Sequence, residues 1–444
     1  MASVSNKWAV VGGGMMGLTL AWRLANAGKS VHLFEASDAL GGLASPWQLG
    51  DLTWDRHYHV TLLSDLNTRR IVGELGLEAG MNWVTTKTGF AANGKLVSMS
   101  NAIEYLMLPG MNYVDKARIA ATIIIGSKVQ NWRELEQIPV KDWLVRYSGN
   151  AAFEKLWRPL LEAKLGDLWK ESSAAFIWAT IQRLYAARRT GLKREMFGYV
   201  PGGYARIVER FAECLKDKGV TVSTSTPVES ISGRSGSPVV QTAKGTLEFD
   251  RVILTTTPRQ VQRMCPELTE SERSAFSNVK YQGVVCASML LEKPLADYYL
   301  TYLTDDWVPF TAVVEMSAFV DKAEFGGRSL VYLPKYALQD DPVFAISDAE
   351  LQRTYESALA RLYPSFSSNR VLAFQVSRVK EVFPVPRLGY SSQLPPIVTS
   401  IPGVLAISSA HIVNGTLNVN DTLAVAERAA KSLLINDGKR VFLD

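Results

Sequence analysis

The first fifty residues carry the clearest periodicity in the chain. Trp8-Ala-Val-Val11 is a continuous apolar run of the kind that forms a strand buried on both faces of a parallel sheet. Gly12-Gly-Gly-Met-Met-Gly17 interrupts it, and Leu18, Ala21, Leu24 and Ala25 then recur at helical spacing until Gly28. A second apolar run, Val31-His-Leu-Phe34, ends at Glu35. From about Thr86 to Met196 the chain reads as mostly helical and irregular, with helical spacing over Tyr113–Ile125 and Phe176–Arg188. Gly198-Tyr-Val-Pro-Gly-Gly-Tyr204 leads into a helix expected over Ala205–Gly219, followed by strands at Val220–Val222 and Val252–Thr257 and a small hairpin over 239–249. Beyond Lys280 the texture turns to strands at antiparallel spacing (284–291, 298–303, 310–315, 329–334 and 371–379), broken by one helix at Asp348–Leu362. A last strand, Gly403–Ser409, a polar turn and an alanine-rich helix over Thr422–Leu434 complete the pattern.

Composition narrows the class. At ~150 residues per domain, 444 residues suggest about three units or two large ones. Hydrophobic residues at 47% and charged residues at 20% exclude a disordered, coiled-coil or collagen-like chain. A net charge of +5, from 48 Lys+Arg against 43 Asp+Glu, is too dilute for a nucleic-acid footprint and leaves only a weak bias toward anionic partners. The three cysteines, Cys214, Cys265 and Cys286, lie far apart and support neither a disulfide framework nor a zinc site. With no signal-peptide pattern at the start and no apolar run near the ~20 residues that span a bilayer, a cytoplasmic protein is expected, peripheral to a membrane at most.

The chemistry begins in the glycine run. Gly12 permits a tight turn, Gly14 lets the backbone approach a pyrophosphate, and Gly17 lets helix and strand pack closely. The N–H groups of the helix start, at Met15 and Met16, face the same charge. Glu35, eighteen residues after Gly17, is placed to accept ribose hydroxyls and repel a 2′-phosphate. This is a complete strand, turn, helix, strand and acid, and it predicts a bound dinucleotide.

The residues that follow Glu35 narrow the dinucleotide. Ala36 and then Leu40-Gly41-Gly42-Leu43-Ala44 complete a stretch, Gly12 to Ala44, that resembles the extended FAD signature of the flavin amine oxidase, phytoene desaturase and protoporphyrinogen oxidase superfamily. Leu43 stands where those families often have arginine. The resemblance implies an α/β fold: a Rossmann-like, GR2-type FAD-binding domain with a discontinuous α+β substrate domain. The FAD domain would comprise residues 1–85, 197–258 and 395–444, and the substrate domain 86–196 and 259–394, its helical part joined to an antiparallel sheet. It also implies that Val228 lies against adenine, that Thr256 borders the cofactor, and that Asn418, Val419 and Asn420 meet the flavin pyrimidine and ribityl chain. With no second GxGxxG between a strand and a helix, a nicotinamide domain is not expected.

Asp55-Arg-His-Tyr-His59, if extended, puts Asp55, His57 and His59 on one face of a strand. A metal site there lacks any accompanying Cys or acidic motif. In the superfamily, and in UDP-galactopyranose mutase with its similar His-aromatic-His run, the corresponding stretch passes beside the isoalloxazine ring, which makes His57 and His59 the catalytic candidates. Arg158 and Arg183 are candidates for an anionic substrate, Lys164 reads as a solvated or ion-paired lysine, and Glu315, Tyr332 and Tyr336 are polar positions available to a cavity wall. The expected activity is FAD-dependent oxidation of a small organic substrate, hydrophobic or anionic, with a hydride passing to flavin N5 as in desaturases and amine oxidases. Oxygen or another acceptor would reoxidise the flavin. A mutase-like isomerisation with no net redox change is the alternative.

Overall fold

The computed structural model describes residues 7–443 apart from 93, 101–103, 105–110, 189–195, 235, 368–369, 437 and 439–440. Lys7–Val11 lies at the centre of a five-stranded parallel sheet in the order Thr221–Ser223, Ser30–Phe34, Lys7–Val11, Arg251–Leu254, Val404–Ala406. Its strands therefore come from the beginning, the middle and the end of the chain. The sheet is parallel because helices cover it. Met15–Asn26, Gly203–Asp217 and Val419–Asn436 pack their apolar stripes into one core with Trp8, Val10, Leu33 and Ile253. Ala9, Val11 and Val252 face a second core on the opposite side, with Phe249 and Phe276.

A seven-stranded sheet forms the second body, in the order Val371–Pro384, Tyr281–Leu291, Ser329–Ala337, Ala312–Glu315, Leu300–Leu303, Thr88–Ala92, Lys95–Ser98. Residues 86–196 are mostly helical, as expected, but also carry the last two strands, which the sequence did not disclose. Leu300–Leu303 pairs in parallel with Thr88–Ala91, a contact more than two hundred residues apart that no local period announces. Residues on the odd face of Tyr281–Leu291, such as Val285 and Met289, pack against the helix Asp348–Leu362. The even face, with Val284, Cys286 and Leu290, turns toward Trp54 and Tyr58 of the first body.

The helical segment packs around Trp143, Trp157 and Trp169. Tyr113–Lys128 and Ala174–Arg188 extend the two helices expected there, and Arg158–Leu165 adds a third. Among the described residues all three cysteines are free, and no helix is long and apolar enough to cross a membrane.

One buried ion pair ties the helical segment to the first body. Arg183 donates from Nε to Asp65 Oδ1 at 3.2 Å and from a terminal nitrogen to Oδ2 at 2.9 Å, and Oδ2 also accepts the Leu62 N–H. Arg183 is thus committed to Asp65 rather than to a ligand. Arg158 is likewise taken, by Glu154 and Glu162 on its own exposed helix face. The Asp65 side chain is 3% exposed and that of Arg183 27%, so an orphaned guanidinium reaches water more readily than an orphaned carboxylate. Arg183→Met is therefore expected to cost about 3 kcal/mol and Asp65→Asn distinctly less. Urea unfolding of the two variants checks the order, and equal losses would show that exposure does not govern it.

Candidate functional site

The turn after the first strand is made by backbone approach. A β-carbon on Gly17 would overlap the Gly12 carbonyl oxygen outright, so helix and strand meet here only without a side chain. Gly12 itself has φ +108°, in the region that favours glycine. Thr255 Oγ1 donates to the carbonyls of Val11 and Gly12 at 3.0 and 3.1 Å and locks the turn to the neighbouring strand. The helix Met15–Asn26 has Gly14 as its N-cap, with no capping side chain and no acid in its first turn. Its first N–H groups at Met15, Met16 and Gly17 are left for an anion.

The glycine doublet is brought directly against this turn. Gly41 pairs with Gly14 as an isolated parallel bridge, and its N–H donates to the Gly13 carbonyl at 2.8 Å. Gly42–Ala44 then forms a single 3-10 turn. A β-carbon at Gly14 would enter space whose nearest atom is the Gly42 Cα at 3.9 Å, a cradle between two stretches of bare backbone. Glu35 closes one end. Its Oε2 accepts the Gly13 N–H at 2.6 Å and its Oε1 accepts both the Ser37 N–H and hydroxyl at 2.8 Å. The carboxylate is held beside the glycine turn just past Phe34, with Ala36 following it. The Thr226 N–H donates to the Glu35 carbonyl and the Ser225 N–H to that of Ser37, which carries the start of Val228–Arg234 to the same corner.

The histidine run is not extended. The strand Leu52–Asp55 ends at Asp55, whose Oδ1 accepts the Tyr204 N–H at 2.8 Å at the start of the helix Gly203–Asp217. The chain bends there and the two imidazoles part. His59 stays 3.8 Å from Asp55 Oδ2 and packs on the Tyr204 ring, whereas His57 turns to donate from Nδ1 to the Leu43 carbonyl at 3.0 Å. With Nδ1 as donor, His57 Nε2 is an unprotonated acceptor, buried and without a partner. Burial lowers its pKa from 6.5 to about 4, against a smaller opposing effect of the bond to Leu43. Among the described residues no group of three or more His, Cys, Asp and Glu side chains is arranged to hold a metal ion.

At the C-terminal turn, the side chains of Asn418 and Asn420 are already engaged. Asn418 Oδ1 accepts the Asp421 N–H and its Nδ2 donates to Asp421 Oδ2, while Asn420 Oδ1 accepts the N–H groups of Asn67 and Thr68. What this turn offers a ligand is backbone at the start of Val419–Asn436. Thr256 Oγ1, past the end of Arg251–Leu254, is buried and unpartnered.

Four groups escaped the sequence reading or were assigned another environment. Tyr58 Oη lies 2.9 Å from Tyr336 Oη, and burial pushes the Tyr58 pKa well up. Lys164 is half-buried and makes no ion pair among the described residues: its Nζ sits 3.5 Å above the Tyr336 ring and 5.6 Å from that of Phe383. Gln282, just ahead of the strand expected over 284–291, lies in Tyr281–Leu291 and is fully buried with both amide atoms unpartnered. Arg56, beside His57, has its guanidinium over Trp47 and a buried, unpartnered Nε. Glu315 faces inward instead. It accepts from the Leu295 and Ala296 N–H groups and from the hydroxyls of Ser317 and Ser329, while burial raises its pKa. Tyr332 donates to the Asp55 carbonyl.

A parallel sheet ending in an uncapped helix start and a glycine cradle, with an antiparallel wall opposite, defines a dinucleotide-dependent enzyme. The chain belongs to the flavin containing amine oxidoreductase family, whose model matches residues 15–434. It is 23% identical over 421 residues to zeta-carotene desaturase from Synechocystis sp., covering 85% of this chain and 82% of that one. It is 26% identical over 459 residues to carotenoid phi-ring synthase from Streptomyces griseus, covering 96% and 85%. The crystal structure of reduced UDP-galactopyranose mutase shares the fold, with a TM-score of 0.74 at 15% identity over 98% of this chain and 96% of that one. FAD is the cofactor and the chain is a flavin-dependent oxidoreductase. The glycine cradle, the free helix N–H groups and the orphaned Thr256 Oγ1 are a donor and acceptor set that fits it.

The buried imidazole sets a pH dependence. In the unfolded chain His57 protonates near 6.5 and in the folded chain only near 4. Between those values the unfolded state binds more protons, so this contribution to stability is complete above 6.5 and is lost as pH falls. By pH 5 the loss is about 2 kcal/mol. Subtracting the pH profile of His57→Asn, whose amide can still donate to Leu43, from that of the wild type should isolate it by urea unfolding. Coincident profiles would show that His57 is not held neutral.

Proposed function

We propose that the chain dehydrogenates a C–H bond of an apolar, non-cationic substrate, in the manner of a desaturase rather than an amine oxidase. The observation that carries this reading is Lys164. A cationic amine would stack on the aromatic faces of the wall, as ammonium groups do on exposed π-systems. Here the protein's own ammonium covers Tyr336 and approaches Phe383. A second positive charge beside it would be repelled. The carotenoid relatives, a desaturase and a ring synthase, point the same way through their names alone.

In this reading the N–H groups of Met15, Met16 and Gly17, with the bare backbone of Gly12, Gly14, Gly41, Gly42, Leu43 and Ala44, hold the pyrophosphate. Glu35 and Ala36 take the ribose and Val228 the adenine. Thr256 and the backbone of Asn418, Val419 and Asn420 take the flavin end. Arg56 supplies, on the adjoining segment, a cation that Leu43 does not. FAD, when bound, accepts the hydride equivalent and passes electrons to oxygen or another acceptor. His57 presents an unprotonated Nε2 for the proton that leaves with the hydride, its ring fixed by the Leu43 carbonyl. His59, held between Asp55 and Tyr204, is the second imidazole of the run and orients the substrate. The FAD unit would then be residues 1–85, 197–258 and 395–444, with 86–196 and 259–394 as the substrate unit.

Anaerobic mixing of the oxidised holoprotein with a polyene and, separately, with primary amines tests the reading. The polyene is expected to bleach the visible flavin band without added reductant, and the amines to leave it unchanged. Bleaching by amines alone would overturn the assignment. Turnover only after pre-reduction, with no net electron consumption, would replace it by an isomerisation. His57→Asn should lower the rate of bleaching on the order of 100-fold at unchanged FAD content.

A further inference from the structure

We infer that the substrate carries an oxyanionic end, a carboxylate or its equivalent, bound by Lys164 and Gln282 while its apolar body lies along the sheet wall. This rests on the dehydrogenase reading above and names the chemical class of its substrate.

The two groups are held by rigid elements. Lys164 projects from the helix Arg158–Leu165, which Thr311 fixes to the sheet by donating to the Ala163 carbonyl at 3.0 Å and accepting the Tyr336 N–H at 3.3 Å. Gln282 lies on the strand Tyr281–Leu291, opposite Phe383 in register and on the same face as Val284, which pairs with Tyr336. Gly166, two residues after Lys164, closes the contact: a β-carbon there would lie 3.7 Å from Gln282 Nε2. Tyr336 and Phe383, the rings beneath Lys164, thus flank Gln282 on one face of the wall.

Neither polar group is satisfied by the protein. Lys164 makes no ion pair or hydrogen bond among the described residues, only its two ring contacts. Glu381, the carboxylate two residues from Phe383, is taken by the Thr257 hydroxyl and by Gln339 Nε2. A buried amide left without partners costs about 1–3 kcal/mol, and buried polar groups in native proteins are nearly always paired. A hydrocarbon sealed over this wall would leave the ammonium and the amide both dry and unpaired. A carboxylate accepts one N–H from each, and a charge-assisted bond of this kind is the stronger type. Tyr58, whose pKa burial pushes well up, adds no competing negative charge.

Ligand binding, read without turnover, tests this. All-trans-retinoic acid, its methyl ester and the hydrocarbon of the same skeleton are titrated into the oxidised holoprotein while the flavin spectrum is followed. The acid is expected to bind at least about 10-fold more tightly than the other two. Lys164→Met and Gln282→Leu should each weaken the acid about 10-fold and leave the hydrocarbon unchanged, with Lys164→Arg retaining most of the affinity. Equal binding of acid and hydrocarbon, no spectral response to any of the three, or variants that weaken all alike would overturn the proposal. So would a Gln282→Leu holoprotein whose ligand-free spectrum or FAD content is altered, because the amide would then serve the cofactor. If the acid is not preferred while polyene still bleaches the flavin anaerobically, only the oxyanionic end is refuted and the dehydrogenase reading stands.

Discussion

The backbone contact between Gly12 and Gly17 is the constraint on which the rest depends. With no room for a β-carbon, the first helix can start almost on top of the strand that precedes it, and its uncapped N–H groups then open into the cradle beneath Gly14. That placement makes demands on distant parts of the chain. Thr255 must reach across from the neighbouring strand to hold the Val11 and Gly12 carbonyls, and Gly41 must be bare enough to bridge to Gly14. His57 then fixes the carbonyl of Leu43, at the far side of the doublet. Residues 12 to 57 are in this sense a single construction, in which a side chain added at Gly12, Gly17 or Gly41 would push apart the surfaces that the others align.

How much of this was legible in the sequence follows from the range of the interactions. Gly12, Gly14, Gly17 and Glu35 act within one local unit, so their spacing discloses both the turn and the acid that closes it. The helix Asp348–Leu362 was equally plain, because its apolar stripe repeats along its own length. Thr88–Ala92 and Lys95–Ser98 were not. Thr-Gly-Phe-Ala-Ala has little strand propensity, and it is a strand because Leu300–Leu303 lies beside it. The histidine face failed for a similar reason. Extension beyond Asp55 would have put three titratable groups together, but Asp55 is drawn to the Tyr204 N–H, and the chain must bend. Polar turns mislead in the other direction. Asn418 and Asn420 advertise hydrogen-bonding capacity that the fold consumes in capping two helices, which leaves only backbone for a ligand.

Gln282 and Lys164 show where sequence reasoning stops altogether. A glutamine between Tyr281 and Gly283 in a strand, and a lysine on a mixed-charge helix, are individually unremarked residues. Their meaning comes from what the fold withholds: the amide is sealed without partners, and the ammonium is set on aromatic rings while Glu381, two residues from Phe383, is engaged by Thr257 and Gln339. Aromatic rings tolerate a cation on their faces, but the interaction is worth only ~0.5–2 kcal/mol and does not replace a full counter-charge. A wall whose apolar residues exclude water makes that deficit larger, since the same low polarity that suits a hydrocarbon body strengthens the pull of an ammonium on any anion that enters. The two properties of the wall are therefore not in conflict. On that proposal the apolar strands cover the body of the substrate, and Lys164 and Gln282 bind its oxyanionic end.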